Sequence, residues 1–301
     1  MKPPFPPVID NVMRSSFRLC EKRFEYSHIH NLSTPMKDIP LHFGLCLHTG
    51  LEATRTSFLI GNLSIEDAVA QGCIAAIQKW GDYSPPDKEE KRTLPHLLDC
   101  IASYFQHWPL DRPPFIDKFP DGSLILEKTV AVPIPGIFHP TSKEPLLYGG
   151  RIDGVLRHDQ GRFILDDKSS IYHSSHWAQH WHLASQFTGY VWCLQCLGMK
   201  VQGVIPRGIF PRVDGVDFDE TIETRQVWEL ERWIKQLKRD ALRMIEAWKK
   251  DDWQFDFSAS CFAFNRPCMF MPLCQTRVPA TWFHLYTPRI WDPLHHSETE
   301  D

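Results

Sequence analysis

The chain has 301 residues, 43% of them hydrophobic and 23% charged, with a formal net charge of −4. This composition excludes wholesale disorder, a collagen-like repeat and a bundle of membrane helices, since no apolar run reaches the ~18 residues a membrane helix needs. With 37 acidic residues against 33 basic ones the chain is no polycationic coat for nucleic acid, so any phosphate binding has to be local.

In chain order, the proline-rich residues 1–10 are expected to form a tail, and their lack of a basic-then-apolar leader points to the cytoplasm. The nine cysteines are then expected to be reduced or metal-bound rather than paired in disulfides. A single domain is expected over residues 11–290. Its helical part, 43–108, carries one helix through Leu47, Leu51 and Phe58, a second through Ile65, Val69, Ile74 and Ile77, and a third through Leu97, Leu98, Ile101 and Phe105. An α/β core is expected over 120–212. Strands are predicted at Leu124–Val132, Tyr148–Leu156 and Arg162–Asp167, a helix from His176 to Leu197, and a strand from Val201 to Phe210. An amphipathic helix over 225–250 follows, with Val227, Leu230, Ile234, Leu237, Ala241, Ile245 and Trp248 recurring at intervals of three and four. A cysteine-rich segment, 258–276, precedes an expected tail at 291–301.

The chemistry-bearing stretch is Gly150-Arg151-Ile152-Asp153-Gly154-Val155, a turn, and Phe163-Ile164-Leu165-Asp166-Asp167-Lys168. If the two segments pair, Asp153 and Asp166 come close, and period-two alternation places Asp166 and Lys168 on one face and Asp167 on the other. Hard carboxylate oxygens suit Mg2+ or Mn2+, and a neighbouring ammonium can orient a water. On spacing alone, a charged surface hairpin explains the same residues. Because its side chain faces away from the metal, Asp167→Asn is expected to be mild.

Further residues join this pair in order. Gly44-Leu45-Cys46-Leu47-His48 places a histidine early on a helix, Leu126-Glu127-Lys128 a glutamate on the first strand, and Gln186-Phe187-Thr188-Gly189-Tyr190 a glutamine and a tyrosine one helical turn apart. The set resembles the RecB-type branch of the PD-(D/E)XK nuclease superfamily, which shows a G-x-x-x-H helix, a strand glutamate, a G-x-x-D-G strand, a D-x-K strand and a Q-x-x-x-Y helix. The resemblance covers roughly residues 20–274, with Ile152 standing where the family name has a proline. It implies an α/β restriction-endonuclease-like core, a mixed central sheet flanked by helices, with an N-terminal helical insertion and a C-terminal cysteine-rich segment. It also implies that Asp153, Asp166, His48, Glu127 and the Asp167 carbonyl hold Mg2+ or Mn2+. Lys168 would position the attacking water, and Gln186 and Tyr190 would contact DNA or steady the catalytic strand.

Cys261, Cys268 and Cys274 lie in one loop-like segment, and Cys20 lies far away near the start. Four thiolates can hold an iron-sulfur cluster or zinc. One cysteine before the core and three after it is similar to the staple of CRISPR-associated adaptation nucleases, AddB-type nucleases and related phage exonucleases, which implies a 4Fe-4S cluster, with Zn2+ as the alternative. Cys46, Cys73 and Cys100, and the C-x-x-C pair Cys193 and Cys196, are expected to pack as small hydrophobes. The segment from Arg225 to Lys250 holds eight basic residues against four acidic ones, a face that could lie on phosphates or be laced by intrahelical ion pairs. The function implied is metal-dependent hydrolysis of DNA, most readily as an exonuclease on ends, single-stranded ends among them, in recombination, repair or phage DNA processing. A recombination or helicase protein would be the partner, and no membrane is involved. The rival is a non-catalytic module that binds DNA ends.

Overall fold

The Asp10 carboxylate accepts the Met13 amide at 2.8 Å and so starts the first helix, α1 (Asn11–Leu19), directly after a short strand, β1 (Val8–Ile9). The computed structural model describes residues 2–34, 38–86, 89–119, 121–257, 260–262 and 266–294. A short helix α2 (Glu21–Phe24) and strand β2 (Leu32–Ser33) lead into three helices, α3 (Ile39–Leu59), α4 (Ile65–Trp80) and α5 (Leu94–His107). The strands β3 (Phe115–Ile116), β4 (Leu126–Phe138), β5 (Pro145–His158) and β6 (Gly161–Ser169) follow, then helices α6 (Trp177–His180) and α7 (Ser185–Cys196). Strands β7 (Gly203–Arg212), β8 (Gly215–Glu220) and β9 (Glu223–Thr224), the long α8 (Val227–Lys250), α9 (Met271–Cys274) and β10 (Thr287–Pro288) complete the order.

The strands build one mixed sheet around β5. β6 pairs antiparallel with β5 from Gly154↔Leu165 to His158↔Gly161, and β7 pairs parallel with β6 from Phe163↔Gly203 to Ser169↔Ile209. β4 runs antiparallel along β5, and β8 closes the far edge antiparallel to β7. Leu147 and Gly154 each pair with β4 as well, so β1, at Leu147–Tyr148, and β6 share the other edge of β5. Between them, from residue 149 to 153, no strand covers that edge among the described residues.

Helices cover both faces. On one, α1, α7 and α8 bury Met13, Phe17, Phe187, Val191, Leu237 and Met244 against Val130, Tyr148 and Ile152. On the other, Phe43, Leu47 and Leu51 of α3 pack with Ala76, Ile101 and Tyr104 of α4 and α5 and with Ile209 of β7. No described helix is long and apolar enough to cross a membrane.

Three expectations need correction. Residues 1–10 are no tail: Phe5, Val8 and Ile9 are buried, because β1 adds parallel to β5. Two residues are too short a strand for period-two patterning to register, and their partner lies far along the chain. At the other end, the Trp291 indole donates to Asp10 at 3.0 Å, so Trp291 also belongs to the packed structure, whereas residues 295–301 lie outside the described residues. The helix expected over 176–197 breaks between α6 and α7, where the Arg225 guanidinium donates to the Trp181 carbonyl at 2.8 Å and the Thr188 hydroxyl at 3.0 Å. That use of Arg225 removes it from the expected basic face, on which Arg243 and Lys250 are paired with Glu21 and Glu246.

Candidate active site

The antiparallel ladder between β5 and β6 stops at Gly154↔Leu165, so the next residues along it, Asp153 and Asp166, face each other without a ladder bond. On its other side β5 pairs through Lys128↔Ile152 and Leu126↔Gly154, which sets Glu127 beside Asp153. Glu127, Asp153 and Asp166 therefore occupy one row across three neighbouring strands. The row is irregular: Glu127 takes a left-handed φ of 49°, a conformation a non-glycine residue holds only where its surroundings enforce it. Asp153 Oδ2 accepts the Asp167 backbone N–H at 2.7 Å, so a side chain replaces the missing strand carbonyl.

The surrounding groups offset this concentration of negative charge. Lys168 Nζ lies 2.5 Å from Asp166 Oδ2, and His48 Nδ1, from α3, lies 3.5 Å from Asp153 Oδ2. Arg151 Nε contacts Glu127 at 2.9 Å, and its Nη2 donates to Glu52 of α3 at 2.6 Å. The balance is incomplete. Burial and the neighbouring Asp153 carboxylate push the Glu127 carboxyl up to about 9, with Arg151 and Arg55 pulling it back only in part. Burial pushes Asp166 up to about 6, with Lys168 opposing and Asp153 reinforcing. Burial alone would push the Lys168 ammonium down, but Asp166 and Asp153 outweigh it and hold it above its ordinary range. Glu127 Oε1 is buried with no hydrogen-bond partner among the described residues.

α7 packs over the face of β5 at the stretch from residue 149 to 153. The Tyr190 ring lies so close to Gly150 that a Cβ there would meet Tyr190 Cε1 at 2.9 Å, and Gln186 Nε2 donates to the Tyr190 hydroxyl at 3.0 Å. Burial and Asp166 raise that hydroxyl above its ordinary range, so it stays protonated.

On the opposite face of β6, Asp167 is fully buried. Arg55 Nη2 of α3 donates to one of its oxygens at 2.5 Å and the Tyr104 hydroxyl of α5 to the other at 2.8 Å. Arg207 of β7 donates to the same hydroxyl at 3.1 Å and to Glu220 at 2.7 Å. Burial would raise the Asp167 carboxyl, but Arg55 holds it below its usual range.

A second cluster lies away from the sheet row. Cys20, at the junction of α1 and α2, lines with Cys261, Cys268 and Cys274 one cavity of about 210 Å3, together with Arg23, Phe255 and Phe270. The Cys268 amide donates to the Cys261 carbonyl at 2.8 Å. Burial, then Cys20, Cys268 and Cys261, push the Cys274 thiol up to about 11. Three residues between Cys261 and Cys268, 263–265, lie outside the described residues. Among the described residues, no three His, Cys, Asp or Glu side chains close on a common point tightly enough to hold a metal ion, at either cluster.

A model of the PD-(D/E)XK nuclease superfamily matches residues 15–275. The chain belongs to that superfamily. No curated protein matches it. Among solved structures, the “Putative exonuclease” of Eubacterium rectale is similar over 89% of this chain and 93% of that one, with a TM-score of 0.52 and 13% identity, a likeness of fold. A second crystal structure, of SSO0001, aligns at a TM-score of 0.29 and 14% identity over 66% of this chain and 74% of that one. The mixed sheet between helical layers is accordingly the restriction-endonuclease-like core of a PD-(D/E)XK nuclease.

In this PD-(D/E)XK chain Glu127, Asp153, Asp166, Lys168 and His48 gather at the sheet row, with Gln186 and Tyr190 behind it. Asp167 faces away from the row, and because its carboxylate is the buried partner of Arg55 its substitution bears on folding. Four residues at or behind the row escape the motif reading: Glu52, Arg55, Arg151 and Tyr104. Glu52 and Arg55 lie four and seven positions after His48 on one helical face, a signal the sequence did contain. Cys193 is buried, but the expectation that Cys196 packs in the core needs correction, because it is exposed in the last turn of α7; neither cysteine lines the cysteine cavity.

Two outcomes follow from this geometry. Asp167→Asn leaves Arg55 buried without its carboxylate, so unfolding in urea is expected at a stability lower by ~3–5 kcal/mol, the usual cost of breaking a buried pair. The second concerns pH. Glu127 binds its proton more tightly in the folded chain, so without metal the folded state loses stability as pH rises from about 4.5 towards about 9. Glu127→Gln removes that contribution. Melting with a chelator present is expected to show the variant gaining on the wild type steadily across this range, and a constant difference between pH 5 and 9 would contradict the assignment.

Proposed function

We propose that this nuclease is a Mg2+- or Mn2+-dependent deoxyribonuclease that hydrolyses phosphodiester bonds, acting as an exonuclease on DNA ends. The observation that carries the reading is the row of three carboxyl groups beside a charged lysine. The donor set fits a hard dication: carboxylate oxygens and one imidazole, with an orphaned buried oxygen on Glu127. Carboxyls raised by burial and then by a neighbouring carboxylate are what a dication relieves. Asp153, Asp166, Glu127, His48 and the Asp167 carbonyl would hold it. When bound, it supplies positive charge against a phosphate and lowers the pKa of a coordinated water.

The remaining roles belong to the chain. Lys168, kept protonated by Asp166, donates to the attacking water and orients it towards phosphorus. Arg151 holds Glu127 and Glu52 in place, and Gln186 with Tyr190 contacts DNA or steadies the catalytic strand. Recombination, repair or phage DNA processing is the setting this activity suits, with a helicase or recombination protein alongside. A module that merely binds DNA ends would have no use for a half-buried lysine held against Asp166 beside Asp153.

The four cysteines, in our proposal, hold a 4Fe-4S cluster, with zinc as the alternative. They line one cavity, and there burial and then the other three cysteines raise the Cys274 thiol, which a bound cation would relieve.

Cleavage is tested with linear DNA labelled at one end. With Mn2+ a ladder of shortened products is expected, with chelator none, and its direction gives the polarity. Asp153→Asn and Asp166→Asn are expected to abolish shortening, and Lys168→Ala to remove most of it. Wild-type turnover by the Asp166→Asn protein would sink the assignment. For the cysteines, protein purified without oxygen should be brown and carry iron, and Cys20→Ser, Cys261→Ser, Cys268→Ser or Cys274→Ser should each lose the iron and lower the melting point. Loss of iron on replacing Cys193 and Cys196 instead would show that other thiols bind it, and a colourless protein with one zinc would select that metal.

A further inference from the structure

Beside the carboxylate row a groove of about 500 Å3 runs between the end of α3 and residues 118, 122–124 and 126–128. Glu127 and Glu52 are among its lining residues, so it adjoins the row. Its walls combine two kinds of group. Leu59, Ile60 and Leu124 are apolar, and Ile60 is 61% exposed. Lys118 and Lys128 also line it, and neither forms a salt bridge among the described residues. The two acidic side chains that line it are both engaged by Arg151, at 2.6 and 2.9 Å, so the lysines leave the groove net positive although the chain is acidic.

Unpaired ammonium groups over exposed aliphatic side chains match one ligand type, a flexible polyanion that also presents apolar faces. The volume lies in the ~300–1,000 Å3 range of sites that take one small molecule, which fits about one nucleotide and is far too small for a duplex. We propose that this groove holds single-stranded DNA: the nucleotide next to the scissile phosphate, its phosphate on Lys118 and Lys128 and its sugar and base against Leu59, Ile60 and Leu124. This deepens the nuclease reading and rests on it, because the groove matters through its place beside the carboxylate row. The enzyme would then prefer ends carrying a single-stranded tail to blunt ends.

The test uses the full chain, a fluorescent single-stranded oligonucleotide and a blunt duplex, with binding measured by anisotropy in chelator and cleavage measured in Mn2+. The K118A/K128A protein, checked for an unchanged melting point, should bind the oligonucleotide roughly tenfold more weakly, and the slope of log Kd against log salt should fall by about 1.4, two phosphates at ~0.7 each. Blunt-duplex binding should change far less. Leu59→Ser with Ile60→Ser should weaken oligonucleotide binding while leaving that slope unchanged, which separates the apolar contact from the ionic one. Unchanged affinity and slope in K118A/K128A, or an equal loss for blunt duplex, would overturn the groove assignment. Cleavage by a wild-type protein that shows no affinity for the oligonucleotide would overturn it while the nuclease reading stands. Oligonucleotide binding as described without cleavage in Mn2+ would overturn the nuclease reading and leave a binding groove.

Discussion

Three carboxyl groups in one buried row of a β-sheet repel one another, and most of what surrounds the row offsets that repulsion. An ordinary ladder would carry uncharged or alternately charged side chains here, because like charges directly across strands destabilise a sheet. In this chain the ladder is interrupted instead. Asp153 takes the Asp167 amide in place of a strand carbonyl, Glu127 adopts a left-handed backbone, and Lys168, Arg151 and His48 approach from three directions. The offset stops short of completion: burial first, and the Asp153 carboxylate after it, leave the Glu127 and Asp166 carboxyls raised. Residual repulsion among oxygens is what gives a carboxylate site its affinity for a dication, so the local cost to folding and the capacity for chemistry have one origin.

The strand β6 joins two environments that differ completely. Its Asp166 and Lys168 face the row, whereas Asp167 between them is sealed beneath α3 and α5 by Arg55 and Tyr104. Period-two alternation makes this division unavoidable. The sealed side is also why the amide of Asp167 is available to Asp153 in a fixed position: the carboxylate of one residue anchors the strand and its backbone N–H orients the neighbour. α3 contributes to both sides, with His48 and Glu52 at the row and Arg55 beneath it, so one helix sets the spacing between the two.

Much of the site is legible in the sequence because it depends on local rules. The pairing of Asp153 with Asp166 across a four-residue turn, and the division of Asp166 and Lys168 from Asp167, follow from antiparallel register and alternation. Gln186 and Tyr190 follow from helical spacing. The place of Glu127 is less legible, since its left-handed φ is imposed by tertiary surroundings that no propensity reports. The clamp on Asp167 is invisible in the sequence, because Arg55 and Tyr104 lie 112 and 63 residues from their carboxylate. The same reason hides β1, whose apolar residues read as a proline-rich tail until β5 is beside them. The break between α6 and α7 is of this kind too: the apolar pattern runs on through it, and Arg225, from a different element, decides it.

The burial of β1 and α1 has a consequence for biosynthesis. These elements leave the ribosome with Phe5, Ile9, Met13 and Phe17 already forming an apolar stripe, yet β5 is far from made and α8 further still. Arg14 meets Asp240 only across 226 residues, so the first helix cannot be locked until nearly the whole nuclease core has emerged. Contacts of such long range slow folding and leave the early chain without its partner surface while translation continues. A transcript cut short, or a ribosome stalled before α8, would release a product in which the apolar residues of β1 and α1 stay uncovered, a natural substrate for chaperones and proteases.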